Sequence, residues 1–329
     1  MNSDRLENVG CEVFRTHMDR ISSKSSYVSR NPVQRYAPWL YAFWKFSRPH
    51  TIAGTTLSVL GLYLIVLAAN RQFIPHPSSL ILPLIACLCG NIYIVGLNQL
   101  EDIGIDRINK PHLPLASGEF PLWQGRAIVA LTGFLAIALA ASQSQYLLGM
   151  VGLSLAIGTA YSLPPIRLKR FPFWASLCIF TVRGAIVNLG LFLHFNQGFP
   201  IPANVWALTL FILVFTFAIA IFKDIPDMEG DRQYNIRTLT LRLGQRPVFN
   251  LARWVLTLCY LGMAGVGFFL PGVNAPFLIL SHLMALGLMW LRSYKLDLQD
   301  KAEIARFYQF IWKLFFLEYL IFPAACLLR

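Results

Sequence analysis

Two short segments of this chain carry aspartates at spacings able to hold a divalent cation against a polyanion. In the first, Asn98, Asp102 and Asp106 stand at i, i+4 and i+8; in the second, Asp224, Asp227 and Asp231 stand at i, i+3 and i+7. Each spacing puts its oxygens on one stripe of a helix. The first reads as an extension of one apolar helix, and the second lies beyond another whose end Pro226 bends. Like charges stacked on one face repel, so the arrangement is unfavourable unless something positive binds between the stripes. Carboxylate and amide oxygens suit Mg²⁺, a hard cation that keeps waters and bridges readily to phosphates. Cations stand close by: Lys110 after the first cluster, Lys223 and Arg232 around the second, and Arg167, Lys169 and Arg170 between them. Acids for a metal beside lysine and arginine for phosphate oxygens are the equipment of a diphosphate site.

The elements that must carry these side chains follow from composition. The chain has 329 residues, 56% hydrophobic and 13% charged, against about 25% charged in ordinary soluble domains. That excludes a soluble enzyme, a disordered chain and a nucleic-acid-binding module. Windows of about 20 apolar residues, the length of a spanning helix, fall near 49–69, 79–100, 122–141, 146–163, 174–195, 203–222, 252–270, 274–291 and 307–328. The predicted fold is therefore all-α, a polytopic membrane bundle of nine transmembrane helices over 39–329. Residues 1–38 form a polar cytosolic tail, predicted to be disordered. The acids in that tail argue against a plastid transit peptide, which favours a bacterial phototroph.

Loop charge gives the orientation. Lys and Arg crowd alternate loops, while the intervening ones carry a single basic residue, Arg71. By the positive-inside rule the basic side faces the cytosol, and this accounts for the net charge of +12 without nucleic acid. Of the 16 acids, four are in the tail and eight belong to the two clustered regions, Glu101, Asp102, Asp106 and Glu119 with Asp224, Asp227, Glu229 and Asp231. These regions follow the second and sixth spans, so they face one another on the cytosolic side.

Ionisable groups inside spans are functional candidates by default. Arg183 lies mid-span, where it binds an anion or pairs with a neighbouring helix, and Glu318 lies in the last span. His50, beside Arg48 at the cytosolic entrance, is the histidine candidate; His194 and His282 read as contacts within the bundle. The six cysteines show no metal spacing and imply no disulfide framework.

The segment from Asn98 through Asp106 and Lys110 to Gly118 resembles the first signature of the UbiA-type intramembrane prenyltransferases. Lys223 to Arg232 resembles the second, and Tyr161 to Arg170 the loop between them. Gln99 stands where many members have Asp. Asn109 to Gly118, Arg48 to Thr51 and Phe307 to Lys313 are similar to the homogentisate prenyltransferases within that superfamily, and most of all to their phytyl-transferring branch in the tocopherol (vitamin E) pathway. The resemblance spans roughly residues 40–328. It implies a helix bundle around a central cavity with a cytosolic-side cap. It also implies Mg²⁺ held by Asn98, Asp102, Asp106, Asp224, Asp227 and Asp231, and a diphosphate assisted by Tyr161, Lys169, Arg170 and Lys110.

The implied reaction is Mg²⁺-dependent transfer of phytyl from phytyl diphosphate to homogentisate with decarboxylation, giving 2-methyl-6-phytylbenzoquinol. Asp102, Asp106, Asp224, Asp227 and Lys169 are its catalytic candidates. Substrate binding falls to Asn98, Lys110, Tyr161, Arg170, Arg183, Lys223, Asp231, Arg232 and His50. The expected setting is the thylakoid or plasma membrane of a cyanobacterium, with the lipid bilayer and two small substrates as partners and no obligate protein partner. A solanesyl- or geranylgeranyl-transferring sister and, from another class, a cation transporter using the acidic clusters remain as alternatives.

Overall fold

A computed structural model of the chain describes residues 35–70, 78–234 and 236–329. The chain divides into two compact units, Met1–Phe43 and Trp44–Arg329. The expected polar tail lies outside the described residues except for its last four, as do Arg71 and Cys11. Among the described residues there are helices and turns and no strand.

The helices in order are α1 (Pro38–Phe46), α2 (Pro49–Ala69), α3 (Ser78–Glu101), α4 (Ile103–Asn109), α5 (Pro114–Ser117), α6 (Leu122–Gln143) and α7 (Gln145–Ser162). They continue as α8 (Pro172–Phe180), α9 (Val187–Phe195), α10 (Ala203–Phe222), α11 (Met228–Gln233) and α12 (Leu239–Leu243). The last three are α13 (Gln245–Gly267), α14 (Ala275–Ser293) and α15 (Lys301–Leu327). A π-helical turn, Thr181–Ile186, joins α8 to α9 as one span, Pro172–Phe195. Local chemistry sets several starts. Pro49 and Pro172 open α2 and α8, where the missing N–H is not needed. Ser144 closes the hairpin between α6 and α7, its Oγ accepting from Leu147 N at 3.1 Å, and Asp300 caps α15 by accepting from Ala302 N at 2.7 Å.

Eight helices among the described residues are long and apolar enough to cross a membrane, against nine expected. The difference is α7, an 18-residue helix diluted by Ser154, Thr159, Tyr161 and Ser162. It nevertheless packs among α3, α6 and α9. The protein is a multi-pass membrane protein. Lipid gives helices no hydrophobic drive to associate, so close packing must hold the bundle. Phe215 and Phe222 of α10 with Phe315 and Tyr319 of α15 are fully buried, in tilted and edge-on ring contacts. Leu131, Phe134, Leu210, Leu280 and Met284 are exposed, an apolar exterior suited to acyl chains. The five described cysteines are free.

Candidate active site

Neither acidic segment is a continuous stripe. The first was expected to extend α3, but α3 ends at Glu101. Asp102 occupies the joint (φ −113°, ψ 17°), and α4 restarts there, with Asp106 N donating to Asp102 O at 2.7 Å. The second follows a turn over residues 223–227, after which α11 begins. The reason is Pro226, which has no N–H and pushes its predecessor out of helical geometry. The short helices α4 and α11 clasp each other. Asn109 Oδ1 accepts from Gly230 N at 2.9 Å, and a Cβ on Gly230 would lie 2.6 Å from that oxygen. A Cβ on Gly104 would come 2.4 Å from Tyr234 Oη. At each glycine a side chain of the opposite segment packs directly onto the backbone, and this brings the two acidic segments face to face.

Each of four aspartates has a cation. Lys169 Nζ is 2.7 Å and Arg167 Nη2 3.2 Å from Asp102 Oδ1, while Asn98 Nδ2 donates to Asp102 Oδ2 at 3.0 Å. Lys110 holds Asp227, Lys223 holds Asp224 at 3.1 Å, and Arg48 Nη2 lies 4.0 Å from Asp106 Oδ2. Asp231 has no ion pair among the described residues. Two of these arginines sit in the left-handed region, Arg48 at φ 52° and Arg167 at φ 39°. Non-glycine residues are held there only when the surroundings over-determine them, and here the strain delivers both guanidinium groups to carboxylates.

Burial and crowding shift the charges. Burial raises the Asp106 carboxyl, with Arg48 opposing, and raises Asp224 against the pull of Lys223. Burial lowers Lys169 despite Asp102. At Lys223 burial is overcome by Asp224, Tyr161 and Asp227, and the ammonium is held well above its usual range. Asp231 is raised to about 7, by burial first and then by Asp227.

These groups head a cavity of about 1030 Å³. Its lining includes His50, Asn98, Asp102, Asp106, Lys110, Tyr161, Lys169, Arg183, Lys223, Asp224, Asp227 and Asp231, twelve of the fourteen residues chosen from sequence. Below them the wall turns apolar, with Cys87, Gly90, Ile94, Met150, Leu155 and Val182. Arg170 and Arg232 are exposed and do not line the cavity. They neighbour the functional cations in sequence, but their helical turns carry them outward. Gln99 also turns away: buried, its Nε2 donates to Phe46 O at 2.7 Å, and it lends the cavity no oxygen. Glu119 pairs with Lys45. Glu318 pairs with His282, Nε2 to Oε2 at 3.0 Å, away from the cavity.

The sequence marks Arg167 among the cations for phosphate oxygens but names Arg48 only as a neighbour of His50, and it misses Asn91, whose amide donates to Thr51 Oγ1 at 3.0 Å. Tyr308 and Trp312, inside the segment Phe307 to Lys313, also line the cavity. For a metal, the available donors are the hard oxygens of Asn98 and the five aspartates, and Asp106 Oδ2 is buried without a hydrogen bond. Among the described residues no three His, Cys, Asp or Glu side chains converge as a preformed metal cage. Mg²⁺ does not require one, since it is usually held by one or two carboxylates together with substrate phosphates.

Residues 58–314 match the UbiA prenyltransferase family. The chain belongs to that family. Among its relatives it is 57% identical over 295 residues to homogentisate phytyltransferase of Synechocystis sp., covering 87% of this chain and 96% of that one. It is 39% identical to the chloroplastic homogentisate phytyltransferase 1 of Arabidopsis thaliana, covering 91% of this chain and 78% of that one. A UbiA homolog from Archaeoglobus fulgidus solved with GPP and Mg²⁺ shares the fold at a TM-score of 0.61 and 16% identity, covering 86% of this chain and 99% of that one. A UbiA-family bundle with its acids, cations and cavity at one end is a prenyltransferase scaffold.

Proposed function

We propose that this enzyme transfers the phytyl group of phytyl diphosphate to homogentisate and releases the acetate carboxylate as CO₂, yielding 2-methyl-6-phytylbenzoquinol. The likeness to the Synechocystis enzyme along nearly its whole length carries the choice of substrates. The acid–cation cavity supports the chemistry. Asn98 and the five aspartates fit Mg²⁺ in partnership with a diphosphate, and the ion, when bound, supplies charge that neutralises the leaving group. Lys110, Arg167, Lys169 and Lys223 then exchange an aspartate for phosphate oxygens and hold the diphosphate as its C–O bond breaks. The allylic cation left behind is kept from water by the apolar wall around Ile94, Met150 and Leu155. A ring carbon of homogentisate attacks it and loses its proton; the side chain gains one as CO₂ departs, leaving a methyl group. Tyr161 and His50 border the head of the cavity, placed to orient the substrates. By the loop charges the active face is cytosolic, in a phototroph's thylakoid or plasma membrane.

The test is an assay of purified protein with homogentisate and Mg²⁺, offered phytyl, geranylgeranyl and solanesyl diphosphates in competition. Preferred turnover of the phytyl donor with one CO₂ per transfer is expected. Preference for solanesyl diphosphate would transfer the enzyme to the sister reaction, and cation flux in proteoliposomes without prenyl transfer would overturn the reading altogether.

A further inference from the structure

Arg183 differs from the cations at the acidic head of the cavity. Arg48, Lys110, Lys169 and Lys223 each face an aspartate. Among the described residues Arg183 has no such partner, and the titratable groups acting on it are the phenols of Tyr319 and Tyr308 and the imidazole of His50. It lies mid-span, in the π-helical turn Thr181–Ile186. Such turns are rare and frequently mark functional sites, and a cation at bilayer depth without an anion is expensive. Its guanidinium stacks 5.2 Å from the Trp312 ring and 5.7 Å from Phe315. His50 meets the same indole edge-on at 4.9 Å.

The surroundings decide which anion this cation awaits. The aspartates at the diphosphate end already pair with five cations. Arg183 is ringed by flat aromatic faces, which suit an aromatic ring bearing a carboxylate rather than a second polyphosphate contact. A further polar atom of the cavity wall, Thr216 Oγ1, is buried without a hydrogen bond among the described residues. It matches an acceptor that also carries ring hydroxyls.

We propose that Arg183 is the carboxylate anchor of the aromatic acceptor, its planar fork taking the acetate of homogentisate while the ring lies against Trp312. This rests on the phytyl-transfer reading and assigns its second substrate a place in the cavity. The pose puts the acceptor ring between Arg183 and the diphosphate head. Selectivity for arylacetates over neutral phenols then comes from one buried ion pair.

The experiment compares homogentisate with its uncharged methyl ester, in wild type, Arg183→Gln and Arg183→Lys, with KM measured separately for acceptor and phytyl diphosphate. Removing one partner of a buried, hydrogen-bonded charge pair predicts an acceptor KM raised at least about 30-fold in Arg183→Gln, with the donor KM within about twofold and partial recovery in Arg183→Lys. Wild type should favour the acid over the ester by a similar factor, and Arg183→Gln should not discriminate. Gly54→Ala provides a gentler variant, because the added Cβ would stand 3.0 Å from Arg183 Nη1. It should raise the acceptor KM alone, by about 3- to 10-fold. Equal rises in both KM values would reassign Arg183 to the diphosphate. Undiminished preference for the acid in Arg183→Gln would leave it a structural residue. If wild type prenylates no homogentisate, the phytyl-transfer reading falls and takes this inference with it, a result visible before any variant is made.

Discussion

Among the described residues Asp231 is the one acid of the cavity without an ion pair, and replacing it by Asn should stabilise the metal-free protein while destroying its activity. The carboxyl is buried, only 7% exposed, and is pushed from 3.8 to about 7 by burial and by Asp227. The direction of the pH effect follows from proton counts. Between about pH 4 and pH 7 the folded protein holds a proton that the unfolded chain has released, so stability falls as pH rises through that window and levels off above it. Three units at about 1.4 kcal/mol each amount to about 4 kcal/mol, of which water in the cavity screens part, leaving about 2 kcal/mol. The amide introduced by Asp231→Asn never ionises and escapes this penalty. Thermal melts in detergent, with divalent cations chelated, should therefore put D231N about 5 °C above wild type at pH 8, and only about a third of that at pH 5. The same variant should lose about 100-fold or more in prenyl transfer. A variant no more stable than wild type at pH 8, or an advantage independent of pH, would show that Asp231 is not held under carboxylate repulsion.

Three further outcomes follow from the same geometry. Arg170→Ala and Arg232→Ala, both at exposed positions, should change kcat/KM by less than about twofold, whereas Lys169→Met should lower it by about 100-fold or more; comparable losses in all three would return the outer arginines to the site. Gly158→Val should press on Ile94, which a Cβ at Gly158 already approaches to 2.7 Å. Because both residues line the cavity, competition assays should show the preference shifting towards shorter prenyl diphosphates by about 10-fold. Glu318→Leu should lower stability by about 3–5 kcal/mol by stranding His282, and Glu318→Leu with His282→Leu should recover most of it; a double variant as unstable as the single would disprove the pairing.

The membrane spans and the acidic segments were legible because each is a short-range signal. A spanning helix must be a long apolar run, and carboxylates are scarce enough in this chain that clustering stands out. The sequence pattern failed where a turn decides direction. Helical spacing made Asn98, Asp102 and Asp106 one stripe, yet the break at Asp102 turns α4 towards α11. In the loop Arg167-Leu-Lys-Arg170, three cations look equivalent on paper. Only the left-handed backbone at Arg167 and the tight turn after it decide that Arg167 and Lys169 reach Asp102 while Arg170 faces out. Gln99 shows the same limit. One residue along from Asn98, it points away from the cavity and bonds a carbonyl near the end of α1, a contact no local pattern announces. The pairing of His282 with Glu318 joins α14 to α15 across the bundle and was equally invisible.

The ion pairs at the head of the cavity are themselves an argument about function. Buried pairs contribute little to stability, since desolvation consumes most of the attraction, and apolar residues would pack a membrane bundle as well. Four aspartates nevertheless hold five cations there, Asp102 taking both Lys169 and Arg167. With Asp231 ionised the sum is close to zero. A bare diphosphate therefore finds each of these five cations already held by a carboxylate. A diphosphate that arrives with divalent charge can give each aspartate a new partner and release each lysine or arginine to a phosphate oxygen, with no charge left exposed in lipid at any stage. Under the proposed reaction the resting pairs are the two halves of the donor site, each holding the other in place until the substrate separates them.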